Sequence, residues 1–356
     1  MSGRAKGCAM TAGTDFEAGA AGETQAFAEN RVNLRQARRD FLVALEPVRA
    51  SVYAYCRSLT PTVWDAEDLL QETLTKALAE ASQRYEPIRN TQAWLVRIAT
   101  NTWIDSLRRS SRATLEWTES TFDLPDDRAA DPLAPLAVES ALRQLLHLLP
   151  PRERACVVLK DVFSYPLAEI AEMLETTPGA VKSALHRGRA TLRAARTDSA
   201  GPSPETLAPG TRAAARHPGH QALLRRLAAA FNAYDIDAMV SLFLASGRSE
   251  VVGNATEAGH EEIRAGSLTD TFGPDAAEIH RSTVHHFDGE DIILMWERQK
   301  NVPGASEVVS DVLRVRPAFG APFVAELKWY FFCPEVLAEV AGGLGLPFKT
   351  NGVSYF

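Results

Sequence analysis

Between residues 164 and 196 the apolar positions recur as they do in two short helices joined by a tight turn. At about 100° per residue, Ile170, Ala171 and Leu174 share one face of the first helix, and Val181, Leu185 and Leu192 form a narrow arc on the second. Lys182, Ser183, His186 and Arg187 fall on a different, exposed side, and Ala171 is small enough to let the helices cross closely. No acidic residue occurs from 176 to 197, where Lys182, Arg187, Arg189, Arg193 and Arg196 all lie. The pattern fits a helix-turn-helix whose second helix enters a DNA major groove. A surface helical hairpin with a solvated basic face shares it, so the rest of the chain has to decide.

Three helices are expected upstream. The first, 36–59, carries Phe41, Leu45, Val48, Val52, Tyr55 and Leu59 at three- and four-residue spacing. Cys56 beside that stripe reads as packing, and Pro47 predicts a bend or a fresh start. The second helix, 65–80, takes Asp65 as its N-cap and buries Leu69, Leu70, Thr73, Leu74 and Ala77. Its other side presents Asp68, Gln71, Glu72 and Thr75, either a solvated face or a docking face. On the third helix, 91–109, Leu95, Ile98, Ala99 and Thr102 make one side, while Arg97, Asn101 and Arg108 fall within roughly 40° of one another on the other. Two cations around an amide suit contacts to phosphates and one base edge. Trp94 and Trp103 read as packing, with stacking on an unpaired base as the alternative.

Punctuation divides the chain. Residues 1–35, rich in Ala, Gly, Glu and Thr without a sustained period, read as a flexible leader before an all-α domain at 36–112. Residues 113–135 form an acidic linker in which Glu116, Glu119, Asp123, Asp126, Asp127 and Asp131 face only Arg128. A second all-α domain, 136–197, holds a helix pair broken at Pro150-Pro151 and then the helix-turn-helix. A Pro/Gly/Ala linker follows at 198–219. From 220 to 356 the period changes: one helix at 226–243, then strand-like runs at 249–253, 282–287, 291–299, 308–316 and 322–332, and a short helix at 334–345. Asp288-Gly289 is a strong hairpin signal. The fold class expected is multidomain, two all-α domains followed by one α+β domain.

Composition narrows the functions. At 356 residues the chain is too long for one core, and 46% hydrophobic with 23% charged residues is ordinary for a soluble protein. A net charge of −7 means that any DNA binding rests on local basic faces. Cys8, Cys56, Cys156 and Cys333 lie far apart with no metal spacing, which points to a reducing cytoplasm and to no metal or other cofactor. No signal-peptide run and no long apolar stretch is present, so neither secretion nor a membrane is expected. In 308–316, period two sets Val309, Asp311, Leu313 and Val315 on one face, where an acid is costly unless paired. His280, His286 and Glu250 lie on other strand-like runs within reach of the same cavity. A hydrogen-bonded core acid with structural histidines, a ligand pocket and an acid–base pair all fit, and no catalytic motif favours the last.

Residues 65–78 (DAEDLLQETLTKAL) followed by 93–109 (AWLVRIATNTWIDSLRR) resemble region 2 of the extracytoplasmic-function, or group 4, sigma-70 family of RNA polymerase sigma factors, and 145–193 resembles their region 4. The C-terminal part, through 231–243 (FNAYDIDAMVSLF), resembles a SnoaL-like domain of the cone superfamily that includes nuclear transport factors. The resemblance implies a non-enzymatic specificity subunit that binds core polymerase, through its β′ clamp helices and β subunit, and directs it to promoter DNA. Asp68, Gln71 and Glu72 would meet the β′ clamp helices; Asn101 would sit near a flipped −10 base, with Arg97 and Arg108 on the backbone; Lys182, Ser183, His186 and Arg187 would meet the −35 element. Family members often carry arginine at the position of Ala184, so one contact would be missing here. The acidic linker would thread the polymerase's RNA path, and the cone would modulate activity in cis by packing on region 2 or region 4 or by stiffening the linker. A ligand-sensing repressor or activator, and an enzyme acting through the cone pocket, are the alternatives.

Overall fold

The computed structural model describes residues 12–115, 148–198, 218–274, 278–299 and 306–352. Helices α1 (Ala12–Leu59), α2 (Val63–Ala81) and α3 (Thr91–Leu115) form the first domain around buried Val52, Tyr55, Leu59, Leu70, Leu74, Leu95 and Ala99. Residues 12–35, expected as a flexible leader, are helical and run unbroken into the rest of α1. Alanine and glutamate recur there, and both are strong helix formers. Pro47 neither ends nor restarts α1; it lies on an exposed side together with Val43, whose carbonyl has lost its N–H partner. The cap of α2 is Thr62 rather than Asp65: Thr62 Oγ1 accepts the Asp65 N–H at 3.0 Å, and Asp65 takes a place in the first turn.

The second domain contains α4 (Pro151–Val157), which runs on through a π-turn (Val158–Val162), then α5 (Leu167–Met173) and α6 (Pro178–Asp198). Between α5 and α6, Glu175 takes φ 48° and the Thr176 N–H closes on the Ala171 carbonyl at 2.8 Å. Ala171, Val181 and Leu185 are buried as the apolar arcs require. A Cβ on Gly188 would come within 2.9 Å of Val157 Cγ2, so α6 lies on α4 closer than a larger residue allows. Gly188→Val is therefore expected to destabilise the chain by about 1–3 kcal/mol, read as a lower urea midpoint at unchanged slope. The acidic linker from 116 onward, the part of the expected helix pair up to 147, and linker residues 199–217 lie outside the described residues.

In the third domain the expected single helix at 226–243 is two, α7 (Pro218–Ala233) and α8 (Ile236–Ser241). Tyr234 turns left-handed at φ 56°, and Asp235 Oδ1 then caps α8 by accepting the Ala238 N–H at 2.9 Å. Strands β1 (Phe243–Val251) and β2 (Ala255–Ala258) precede α9 (Gly259–Ile263), a π-turn (Arg264–Leu268) and α10 (Thr269–Phe272). Then come β3 (Glu278–Phe287), β4 (Glu290–Gln299), β5 (Val308–Pro317), β6 (Val324–Trp329) and α11 (Pro334–Gly343). The six strands lie in the order β2-β1-β6-β5-β4-β3, antiparallel except for β1 beside β6. Asp288 and Gly289 both take positive φ, 49° and 81°, as a tight β3–β4 hairpin demands.

A skip in the β4–β5 register sets Met295 opposite Asp311 but Trp296 opposite Val309, leaving Ser310 as the extra residue of a bulge. Val309 therefore leaves the face on which period two places it. Leu313 and Val315 pack beneath α7 with Leu223, Leu227 and Phe231, whereas Val309 and Val312 join the opposite face. That opposite face is covered by Val336, Leu337 and Val340 of α11, and its apolar cluster continues into the first domain.

Candidate functional site

The outer face of α2 lies against the third domain. The Asp68 carboxylate lies 2.8 Å from Lys328 Nζ of β6 and 3.9 Å from Arg314 Nη1 of β5. Gln71 donates to Glu67 Oε1 at 2.7 Å and lies directly beneath Gly253, where a Cβ would be 3.5 Å from its amide nitrogen. Glu72 remains at the rim, paired with Lys76 at 3.0 Å and Arg109 at 3.7 Å. Two of the three expected docking residues thus sit under the third domain.

The contact around them is built largely of buried ion pairs. Arg49 and Glu67, 4% and 0% exposed, pair at 3.0 Å, and Arg49 also reaches Glu335 of α11 at 3.2 Å. Arg57 Nε donates to Glu339 at 2.8 Å, Tyr53 donates its hydroxyl to the same carboxylate at 3.3 Å, and Arg38 reaches the Gly253 carbonyl at 3.0 Å. Trp64, fully buried, lies 5.4 Å from the Tyr330 ring with the Arg314 guanidinium 4.9 Å over its own face. Asp288, the hairpin residue, accepts the Val63 N–H at 2.7 Å, an anion at the positive end of α2.

The nucleic-acid candidates meet at a second place. Asn101 and Arg108 of α3 and Arg187 of α6 line one cleft of about 410 Å³ between the two helical domains. Lys182, Ser183, His186 and Arg187 are all exposed, as the apolar arc of α6 requires. Ala184 is not among them: it is 6% exposed and faces this cleft, three residues on from buried Val181. Several of the cations are tied to acids of the same chain. Arg187 donates to Glu153 at 2.7 Å, Arg108 to Asp105 at 3.2 Å, and Arg97 to Glu80 at 2.9 Å. Burial works to raise the Glu80 carboxyl, but hydrogen bonds from Trp94 and Arg84 and the charge of Arg97 hold it below the usual range. Trp94 and Trp103 are core residues, with Trp103 beneath the Arg154 guanidinium at 5.3 Å. Burial pulls that guanidinium down to about 10.

The third place is a cavity of about 490 Å³ at one end of the sheet, lined by Val251, Met295, Trp329, Phe331 and Phe332. Of the four expected pocket residues, Asp311 and His280 line it. His286 does not: it lies six residues along β3, roughly 20 Å away, and bonds Asp291 at 2.7 Å. Glu250 does not either, since Ser249 holds the inner side of β1 by accepting the Trp329 indole N–H at 3.0 Å. Glu250 points the other way, 3.8 Å from Lys328. Burial pushes Asp311 well above the usual carboxylate range, outweighing the hydrogen bonds from the Val312 and Tyr330 N–H groups.

Several site residues escaped the sequence reading. Ser310 reaches the cavity only because of the bulge, and Lys349 only because residues 347–349 pair back with Val309. Arg49 and Glu67 did leave a signal: each stands at helical spacing within an apolar stripe, Arg49 four beyond Leu45 and three before Val52, Glu67 four beyond Val63 and three before Leu70. A charge in such a stripe calls for a buried partner.

Residues 45–113 match the family Sigma-70 region 2, and residues 139–192 match Sigma-70, region 4. The chain is 35% identical over 233 residues to the ECF RNA polymerase sigma factor SigG of Mycobacterium tuberculosis, a match covering 58% of this chain and 60% of SigG. It is 31% identical over 153 residues to the ECF RNA polymerase sigma factor SigW of Bacillus subtilis, covering 40% of this chain and 81% of SigW. Among solved structures, the extracytoplasmic function sigma factor SigJ of M. tuberculosis is similar at 21% identity and TM-score 0.30, over 81% of this chain and 95% of SigJ. With both sigma regions in order and most of SigW's length matched, the chain belongs to the ECF RNA polymerase sigma factor family.

Proposed function

We propose that this chain is a promoter-specificity subunit of RNA polymerase, which transfers no chemical group, and whose third domain holds it in a closed form. Core polymerase would dock on Asp68, Gln71 and Glu72; α3 would read the −10 element through Asn101, with Arg97 and Arg108 on phosphates; α6 would meet the −35 element through Lys182, Ser183, His186 and Arg187. The observation that carries this reading is the ion-paired contact of β6 and β5 with Asp68, which covers the acidic face of α2. A basic clamp and Lys328 would compete for the same carboxylate.

The closed form extends to the DNA side. Elements centred near −10 and −35 lie about 25 base pairs apart, about 85 Å at 3.4 Å per step. Asn101 and Arg187 line a single small cleft, so the two helical domains must separate before both elements are bound. The chain between α3 and α4 is long enough: fully extended, residues 116–150 reach on the order of 110 Å.

Run-off transcription with core polymerase on a promoter library tests the reading. Asn101→Ala is expected to lower initiation roughly 5- to 100-fold, the worth of a lost base contact, while binding to core stays within about twofold. Absence of both core binding and initiation by the full chain and by its docking variants would overturn it. Among the described residues no helix is long and apolar enough to cross a membrane.

A further inference from the structure

One carboxylate of the first domain gathers the polar groups at the start of α3. Glu80, the last residue but one of α2, takes three donors on the same oxygen: the Arg84 guanidinium at 2.7 Å, the Trp94 indole N–H at 2.9 Å and the Arg97 guanidinium at 2.9 Å. Trp94 is 7% exposed and meets the Phe41 ring of α1 edge-on, with centroids 6.5 Å apart. A chain of contacts thus runs from the core through Glu80 to the tip of Arg97. All of these residues belong to the first domain, so the arrangement outlasts a separation of the two helical domains. Arg84, Trp94 and Arg97 border one cleft of about 450 Å³, whose other side carries Glu169 and Glu172 of α5. A guanidinium already held by a carboxylate has less rotamer freedom to lose when it grips a phosphate, and it reaches fewer of them.

We propose that Glu80 is a positioning residue of the −10 site: acting through Arg97 and Arg84, it makes the phosphate grip coincide with the Asn101 base contact in one register of the strand only. The proposal rests on the reading of α3 as the −10 helix. Two effects follow from the one carboxylate. Its charge weakens the pull of Arg84 and Arg97 on phosphates in general, and its bonds fix where Arg97 points. Once Glu80 is neutralised, both cations are free to meet any phosphate, which adds affinity without regard to sequence. Asn101, one helical turn beyond Arg97, then loses its fixed relation to the backbone contact that sets its register. Affinity and specificity therefore move in opposite directions, whereas a side chain that only supported the fold would lower both. Glu86 borders the same cleft with the same charge, but the carboxylate that Arg97 bonds is that of Glu80.

The test uses the full chain assembled with core polymerase. The fragment that initiates best in the promoter library is compared with the same fragment carrying a scrambled −10 element, by competition binding over a series of KCl concentrations. Glu80→Gln is expected to bind the scrambled fragment about threefold more tightly and the promoter no more tightly, so that the ratio between them falls by about threefold or more. On the scrambled fragment its log–log salt dependence should steepen by roughly 0.7–0.9, the signature of one more neutralised phosphate. Glu86→Gln makes the same change of charge without releasing Arg97, and should leave the ratio within about 1.5-fold of the parent chain. Circular dichroism melts and titration with core establish that both variants are folded and dock. An unchanged ratio for folded Glu80→Gln, an equal loss of affinity for both fragments, or an equal fall of the ratio in Glu86→Gln would overturn the proposal. A parent chain that supports initiation yet binds both fragments alike would instead remove the −10 reading of α3, and the proposal with it.

Discussion

Replacing Glu339 with lysine is expected to raise the affinity of the full chain for core RNA polymerase by roughly 30-fold. Glu339 receives the Arg57 Nε at 2.8 Å and the Tyr53 hydroxyl at 3.3 Å, and Arg57 is itself only 7% exposed on its side chain. A lysine there sets two cations against each other in a water-poor contact and strands Arg57 without one of its acids. Removing one partner of a buried pair costs about 3–5 kcal/mol in full; for a contact at the edge of the interface we take about 2 kcal/mol. The undocked fraction, and with it the apparent affinity for core, then rises by roughly 30-fold. Fluorescence anisotropy of labelled chain titrated with core polymerase measures it, and small-angle scattering of the free variant reports whether the third domain has let go. Undocking without any gain in affinity would show that the covered face of α2 is not where polymerase binds.

The largest stability effect is expected at Arg49. Arg49→Met leaves Glu67, fully buried, without its cation, and should destabilise the chain by about 3–5 kcal/mol in urea unfolding. Adding Glu67→Met should recover most of that loss, because an apolar pair of similar volume no longer has a charge to desolvate. The remaining donors to Glu67 Oε1, the Gln71 amide at 2.7 Å and the Cys333 thiol at 3.3 Å, are neutral and cannot replace a guanidinium. A cost below about 1 kcal/mol for the single variant would mean that Arg49 and Glu67 are solvated in the folded chain.

The helical domains were legible because their periodicity is local. Val181 and Leu185 on α6, and Leu70 and Leu74 on α2, are buried where a 3.6-residue repeat puts them. Backbone singularities were not legible. Tyr234 leaves the helix at positive φ with neither glycine nor proline to announce it, and the Ser310 bulge swaps the face of Val309 within an unbroken apolar run. The contact between the first and third domains was hidden for another reason. It joins residues more than 200 positions apart, such as Arg57 with Glu339, and their charges look like ordinary surface charges until the surfaces meet. The turn Asp288-Gly289 was recognised as a hairpin, but nothing in its spacing told that Asp288 would also hold the start of α2.

The short run that leaves β6 touches two places at once. Trp329, Phe331 and Phe332 line the cavity, while Tyr330, between them, packs on Trp64 and accepts the Arg314 guanidinium at 3.1 Å. The end of β6 and the turn that follows it, closed by the Cys333 N–H on the Tyr330 carbonyl at 3.0 Å, thus hand three side chains to the interior and one to the inter-domain seam. Equilibria that share such a segment are thermodynamically linked, and the linkage is reciprocal. An occupant that fits the cavity better with the seam closed would weaken polymerase binding, and polymerase would expel that occupant by the same factor. The four residues would then couple any occupant of the cavity to the docking of polymerase.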